Sequence, residues 1–170
     1  DALLEQVDDR TRIVYVSNPS NPTGSYNSGE EIRRLHAALP STVLLVVDEA
    51  YAEFVVEPDW ETAFPLARDA TNIVVTRTFS KIHGLGGLRI GFGYAPLAVA
   101  EAVDRIRLPF NVSVPGLEAA TAALGDEAHQ KASRDLVQTW RPRLTQAIRG
   151  FGFEVMPSAG NFVMVRFPDE

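Results

Sequence analysis

Apolar and polar positions change period several times along this chain, and each change marks an element. Ile13-Val14-Tyr15-Val16 is a short β-branched and aromatic run, and the Asn-, Pro- and Gly-rich stretch 17–29 after it reads as a loop. Ser28 followed by Glu31 fits a capping box, and Ile32, Leu35 and Leu39 share one helical face that Pro40 closes. The run from Val43 to Val47 is apolar without alternation, which predicts a parallel strand covered on both faces and closed by Asp48. A third strand is expected over Ile73–Val75, running into Thr76-Arg77-Thr78-Phe79-Ser80-Lys81, and a fourth over Leu88–Tyr94. Strand, helix, strand, loop, strand is the order of a doubly wound, mainly parallel α/β sheet.

After Pro96 the spacing becomes helical. Leu97, Ala100 and Val103 mark one helix; Leu117, Ala120 and Leu124 mark a second that stops at Gly125. Ala132, Leu136, Trp140, Leu144 and Ile148 recur every fourth residue, so a long helix is expected there, kinked at Pro142. Short strands near Phe153–Met156 and Phe162–Val165 finish the pattern. Residues 1–125 are accordingly assigned to a large domain, and 126–170 to a connecting helix and the start of a smaller α+β C-terminal domain. The chain opens on Asp1-Ala2-Leu3 and closes on Phe167-Pro168-Asp169-Glu170, and it reads as a piece of something longer.

Composition narrows the chemistry. With 45% hydrophobic and 22% charged residues the chain has enough apolar material for a core. A net charge of −6 gives no overall basic footprint for nucleic acid or an anionic membrane, so a small-molecule partner is expected. The absence of cysteine excludes disulfides and thiolate metal sites, and three scattered histidines argue against any metal centre. No apolar stretch is long enough to span a bilayer, and a cytoplasmic location is expected.

In open α/β sheets ligands gather beyond the carboxyl ends of the strands. Here those ends carry Asn18 and Asn21, then Asp48 and Tyr51, then Ser80 and Lys81. An amine, a carboxylate, a phenol and an amide converging on one region suit pyridoxal 5'-phosphate (PLP), which needs each of them. Lys81 would form the Schiff base, and Asp48 would keep the pyridine nitrogen protonated. Tyr51 and Asn21 would hold the phenolate oxygen. Ser80 and Arg89 would hold the phosphate, the arginine because its planar fork matches phosphate oxygens. Each residue also has a plainer use: Asp48 as a helix cap, Asn18 as turn chemistry, Tyr51 as packing, Arg89 as the partner of a carboxylate. His83 is assigned a structural role, and His36 and His129 are expected to be solvated.

Asn18-Pro19-Ser20-Asn21-Pro22-Thr23-Gly24, Asp48-Glu49-Ala50-Tyr51 and Thr78-Phe79-Ser80-Lys81 through Arg89-Ile90-Gly91 resemble, in order and spacing, the signature stretches of the fold type I PLP-dependent aminotransferases. Within that superfamily the resemblance is to the histidinol-phosphate aminotransferase family. It is carried by Asp48-Glu49-Ala50-Tyr51 with Phe54, by Leu108-Pro109-Phe110-Asn111-Val112-Ser113 and by Pro157-Ser158-Ala159-Gly160-Asn161-Phe162. The resemblance implies that Lys81 is the catalytic, cofactor-bearing lysine, with Asn21, Asp48, Tyr51, Ser80 and Arg89 on the cofactor and Thr78 assisting at the phosphate. Asn161 would border the substrate, with a strand-start turn as the alternative. It further implies a homodimer that moves an amino group between L-histidinol phosphate and 2-oxoglutarate, giving imidazole acetol phosphate and L-glutamate in histidine biosynthesis. Still open are an aromatic amino acid aminotransferase, a threonine-phosphate decarboxylase and a non-catalytic PLP-sensing domain of a transcription regulator. By the same resemblance, further phosphate contacts and the arginine for the substrate carboxylate lie outside these residues.

Overall fold

A computed structural model describes residues 2–168. Its main sheet has the strand order β1 (Ile13–Ser17), β2 (Leu44–Asp48), β3 (Ile73–Thr78), β4 (Gly91–Tyr94). The first three strands are parallel and in register, and β4 returns antiparallel to β3, so the sheet is mainly parallel as the sequence implied. A single row crosses its polar end, from Ser17 to Asp48 to Thr76 to Gly93.

Side chains alternate between the faces of a strand, so each strand contributes to two surfaces. Val14, Val16, Leu45, Val47, Ile73 and Val75 form the buried face. Helix α1 (Gly29–Ala38) covers it through Ile32, and α2 (Phe64–Asp69) through Ala67. The capping box at Ser28 and Glu31 is present in both of its bonds. Burying each such aliphatic side chain contributes about 1.5–3 kcal/mol. Cover on both faces of β2 is not observed among the described residues. Leu45 and Val47 are fully buried while Leu44 and Val46 are only partly so, and on β1 Ile13 and Tyr15 are 59% and 57% exposed.

Three further helices follow: α3 (Leu97–Ile106), α4 (Val114–Leu124) and α5 (Glu127–Gly150). Helix α5 carries Pro142, the position of the expected kink, inside a single helical element. One side is tied to the segment after β2: the guanidinium Nε of Arg134 donates to the Glu53 carbonyl at 2.7 Å and the amide of Gln138 to the Phe54 carbonyl at 3.0 Å. Leu136, Trp140 and Leu144, the stripe that announced the helix, point away at 49–59% exposure. The chain then forms the short antiparallel pair β5 (Glu154–Val155) and β6 (Val165–Arg166). Among the described residues no helix is long and apolar enough to cross a membrane.

The most costly polar group in the core is Glu49, which is fully buried. Its carboxylate accepts from the Ala63 amide at 2.6 Å, the Thr62 hydroxyl at 2.8 Å and the Arg77 Nε at 2.9 Å. Arg77 also pairs with Glu53 at 2.5 Å and lies over the Phe64 ring. A buried ion pair costs about as much in desolvation as it returns, yet losing one partner strands the other charge. Arg77→Met is therefore expected to destabilise the fold by about 3–5 kcal/mol, read as a drop in the urea midpoint at unchanged slope.

Candidate active site

Beyond the polar row the chain bends into three loops, and these carry the residues named from sequence. The first follows β1. Asn18 is fully buried, with its side chain accepting from the Asn27 amide at 2.7 Å and donating to the Asn27 carbonyl at 3.1 Å. It shapes the loop, which is the structural role assigned to it. That shape presents Asn21, whose side-chain amide donates to the Tyr51 hydroxyl at 2.7 Å. The phenol proton of Tyr51 is left free to donate elsewhere. Gly24 has φ +77°, and a Cβ there would meet the Ser158 side chain at 2.4 Å. Only glycine fits, because the turn before β6 lies directly on this loop, with the Ala159 amide donating to the Gly24 carbonyl at 2.8 Å.

The second loop follows β2. Asp48 and Glu49 are adjacent in sequence and serve opposite faces of the sheet, Glu49 inward and Asp48 toward the open side. The Asp48 Oδ1 accepts from the Ala50 amide at 3.1 Å and from the Thr76 hydroxyl at 3.2 Å, and Oδ2 accepts from the Tyr15 hydroxyl at 2.7 Å. Tyr51 is buried against Phe54 and Ile82, and Phe162 meets it edge-on at 5.2 Å between ring centroids.

The third loop follows β3. Lys81 places its ammonium 5.0 Å from the centre of the Tyr51 ring, and among the described residues it makes no hydrogen bond or ion pair. Arg89, read from sequence as an anion ligand or a carboxylate partner, donates to the Gly86 carbonyl at 2.6 Å and to the Ser80 hydroxyl at 3.5 Å. No carboxylate among the described residues takes it up. Arg89 adopts a left-handed backbone with φ 53°, a conformation of the kind that concentrates at functional sites. The Thr78 hydroxyl accepts from the Ser80 amide at 3.0 Å, which groups Thr78, Ser80 and Arg89.

The sequence-selected residues thus fall into three groups: Lys81 with Tyr51 and Asn21, Asp48 at the end of the central strand, and Ser80 with Thr78 and Arg89. Asn161 sits beside Trp140 and Arg141, and it is the neighbouring Phe162 that touches Tyr51. Of the two histidines assigned to solvent, His129 is exposed and His36 half-buried, and each also makes a hydrogen bond. His36 hydrogen-bonds the Asn72 side chain at 2.8 Å, and the His129 Nε2 meets the Ile82 carbonyl at 3.1 Å, one residue from the lysine. Both contacts bridge distant segments, which local helical position does not reveal. His83 packs against Phe79, with ring centroids 4.9 Å apart and the planes tilted by 37°.

Tyr15 and Thr76 were not singled out from sequence. Their signal was the strand period: Tyr15 and Ser17 share a face, as do Val46 and Asp48, and Thr76 and Thr78.

The family model described as Aminotransferase class I and II matches residues 1–170. The chain belongs to this family. It is 56% identical over 168 residues to histidinol-phosphate aminotransferase 1 of Caulobacter vibrioides, covering 99% of this chain and 47% of the relative. It is 50% identical to the histidinol-phosphate aminotransferase of Maricaulis maris, again over 99% of this chain and 47% of the relative. Among solved structures, the histidinol-phosphate aminotransferase of Sinorhizobium meliloti in complex with pyridoxal-5'-phosphate superposes with a TM-score of 0.85 at 39% identity, over 90% of this chain and 41% of that one. The chain therefore spans about half the length of the curated aminotransferases it matches.

Beside Asp48, the Tyr15 phenol is held above its ordinary range. Desolvation first, and then the hydrogen bond to the Asp48 carboxylate and its charge, raise its pKa from the ordinary 10 to about 12. A raised phenol pKa means that the unfolded chain loses this proton first. The stability associated with the proton is complete below pH 10 and is lost as pH rises from 10 to 12. Ultraviolet titration of the phenols is expected to show a component ionising near pH 12 that disappears in Tyr15→Phe.

Proposed function

We propose that the protein is a pyridoxal phosphate-dependent aminotransferase that moves an amino group between L-histidinol phosphate and 2-oxoglutarate. The observation that carries this reading is the unpaired Lys81 ammonium held over Tyr51, whose hydroxyl Asn21 already engages. This arrangement fits the cofactor. Arg89 has no carboxylate partner and its donors lie beside the Ser80 hydroxyl, so an anion meets no competitor there. Names borne by relatives 48–56% identical over nearly the whole chain support the histidinol phosphate substrate over an aromatic amino acid or a decarboxylation.

In this reading Ser80, Thr78 and Arg89 bind the phosphate, the arginine by its planar fork. Asn21 and Tyr51 donate to the phenolate oxygen, and Asp48 holds a proton on the ring nitrogen. When bound, the cofactor supplies an aldehyde that condenses with amines and a ring that spreads the electron pair left at the substrate α-carbon. Lys81 would hold the cofactor and would move the proton to and from that α-carbon as general base and acid.

Residues 1–125 would then be part of the large cofactor-binding domain, and 126–170 the connecting helix and the beginning of the small domain. The protein would act as a cytoplasmic homodimer. Ile106, Leu108 and Phe110 are 82%, 76% and 97% exposed, which supports an apolar surface that further protein covers.

Four outcomes are expected for the full-length protein. Borohydride reduction followed by peptide mapping should place the cofactor on Lys81 and on no other lysine. Lys81→Ala should abolish transamination, the lost proton transfer alone accounting for about 10²–10⁴-fold. Asp48→Asn should keep the bound cofactor but lose most turnover, whereas Arg89→Ala should chiefly weaken cofactor retention, measured by dialysis and absorbance.

A further inference from the structure

We propose that Tyr15 is a positioning residue that fixes the Asp48 carboxylate and sets how strongly it draws on its ligand's proton. The proposal rests on the reading of Asp48 as partner of the ring nitrogen. A carboxylate offers about four acceptor positions. On Asp48, Oδ1 receives two donors, the Ala50 amide and the Thr76 hydroxyl, and Oδ2 receives the Tyr15 hydroxyl at 2.7 Å. One acceptor position remains, on Oδ2, and its direction is set by the donors around it.

Simple packing does not account for Tyr15. More than half of the residue is exposed, while its hydroxyl end is the part engaged. A phenylalanine would fill the same space and lose only that bond. The donor is also dependable, because the phenol keeps its proton up to about pH 12. Hydrogen bonds to a charged acceptor are short and strong, and each one withdraws charge from the oxygen that receives it. Removing the Tyr15 donor makes Oδ2 more basic and leaves the carboxylate free to rotate away from a single orientation. Both changes weaken a site that must keep its proton on the ring side of the contact.

The test uses the full-length holoenzyme reconstituted with cofactor carrying ¹⁵N in the ring. In Tyr15→Phe the ring ¹⁵N resonance is expected to move toward the unprotonated position, with kcat about tenfold lower and KM within about twofold, the scale of one charge-assisted hydrogen bond. Thr76→Val, which removes a donor from the other oxygen, should move the resonance the same way by less. The thermal midpoint should not follow these changes. In an Asp48→Asn background, Tyr15→Phe should have no further effect on the resonance. An unmoved resonance in Tyr15→Phe, or an equal shift with and without the Asp48 carboxylate, overturns the positioning role. A wild-type protein that binds no cofactor at Lys81 sinks the underlying functional reading instead, so the two failures are told apart.

Discussion

The in-register parallel pairing of β1, β2 and β3 is the constraint on which the polar end of the molecule depends. Because side chains alternate along a strand, a slip of one residue exchanges the two faces. At the end of β2 that exchange would turn Asp48 into the core and Glu49 toward the open side. Neither residue could do the other's work. Glu49 reaches Ala63, Thr62 and Arg77 with a longer side chain, and Asp48 takes the shorter span to Tyr15 and Thr76. The apolar residues Leu45 and Val47 on the buried face hold the register, and two adjacent acids depend on it.

The same division runs along β3. Arg77 faces the α2 side with its two glutamates, while Thr76 and Thr78 face the open side and support Asp48 and Ser80. Opposite them, β4 presents Gly93 beside Thr76 and Gly91 beside Thr78. A Cβ at Gly91 would meet the Arg77 carbonyl at 2.7 Å, so close strand approach excludes a side chain there. The open face above the central strands is thus kept clear by the residues of an edge strand.

What could be read from sequence was what is local or periodic. The capping box at Ser28, the first three strand runs, the stop at Gly125 and the long fourfold stripe of α5 all repeat a pattern within a few residues and are found in place, whereas the fourth strand starts only at Gly91 and the last lies at Val165–Arg166 and not at 162–165. The loops bearing Asn21, Asp48, Tyr51, Ser80 and Lys81 were legible because parallel strands send their carboxyl ends to one edge. The misses are long-range. The antiparallel return of β4 comes after the long lysine-bearing connection 79–90, and its own composition does not mark it. Tyr15 looked like one apolar residue among four, and its 33-residue reach to Asp48 has no local mark. Cover on both faces of β2 was inferred from an unbroken apolar run, yet the structure burial alternates. The run reports what the strand can bury, not what the described residues supply.

The lysine loop shows how far the site depends on residues with no chemistry of their own. Ile82, next to Lys81, is buried with Tyr51 and Phe54, and Val137 of α5 packs against that cluster. The carbonyl of Ile82 is held by His129 from the first turn of the same helix, and the Lys81 carbonyl accepts from the Gly84 amide. Helix α5 therefore braces the lysine loop at two levels along its length. Through Arg141 it also holds the Gly160 carbonyl, and so the turn that brings Phe162 onto Tyr51. One rigid helix fixes both the loop beneath the amine and the ring beside its aromatic neighbour, so a displacement of α5 shifts Lys81 and Tyr51 together instead of pulling them apart.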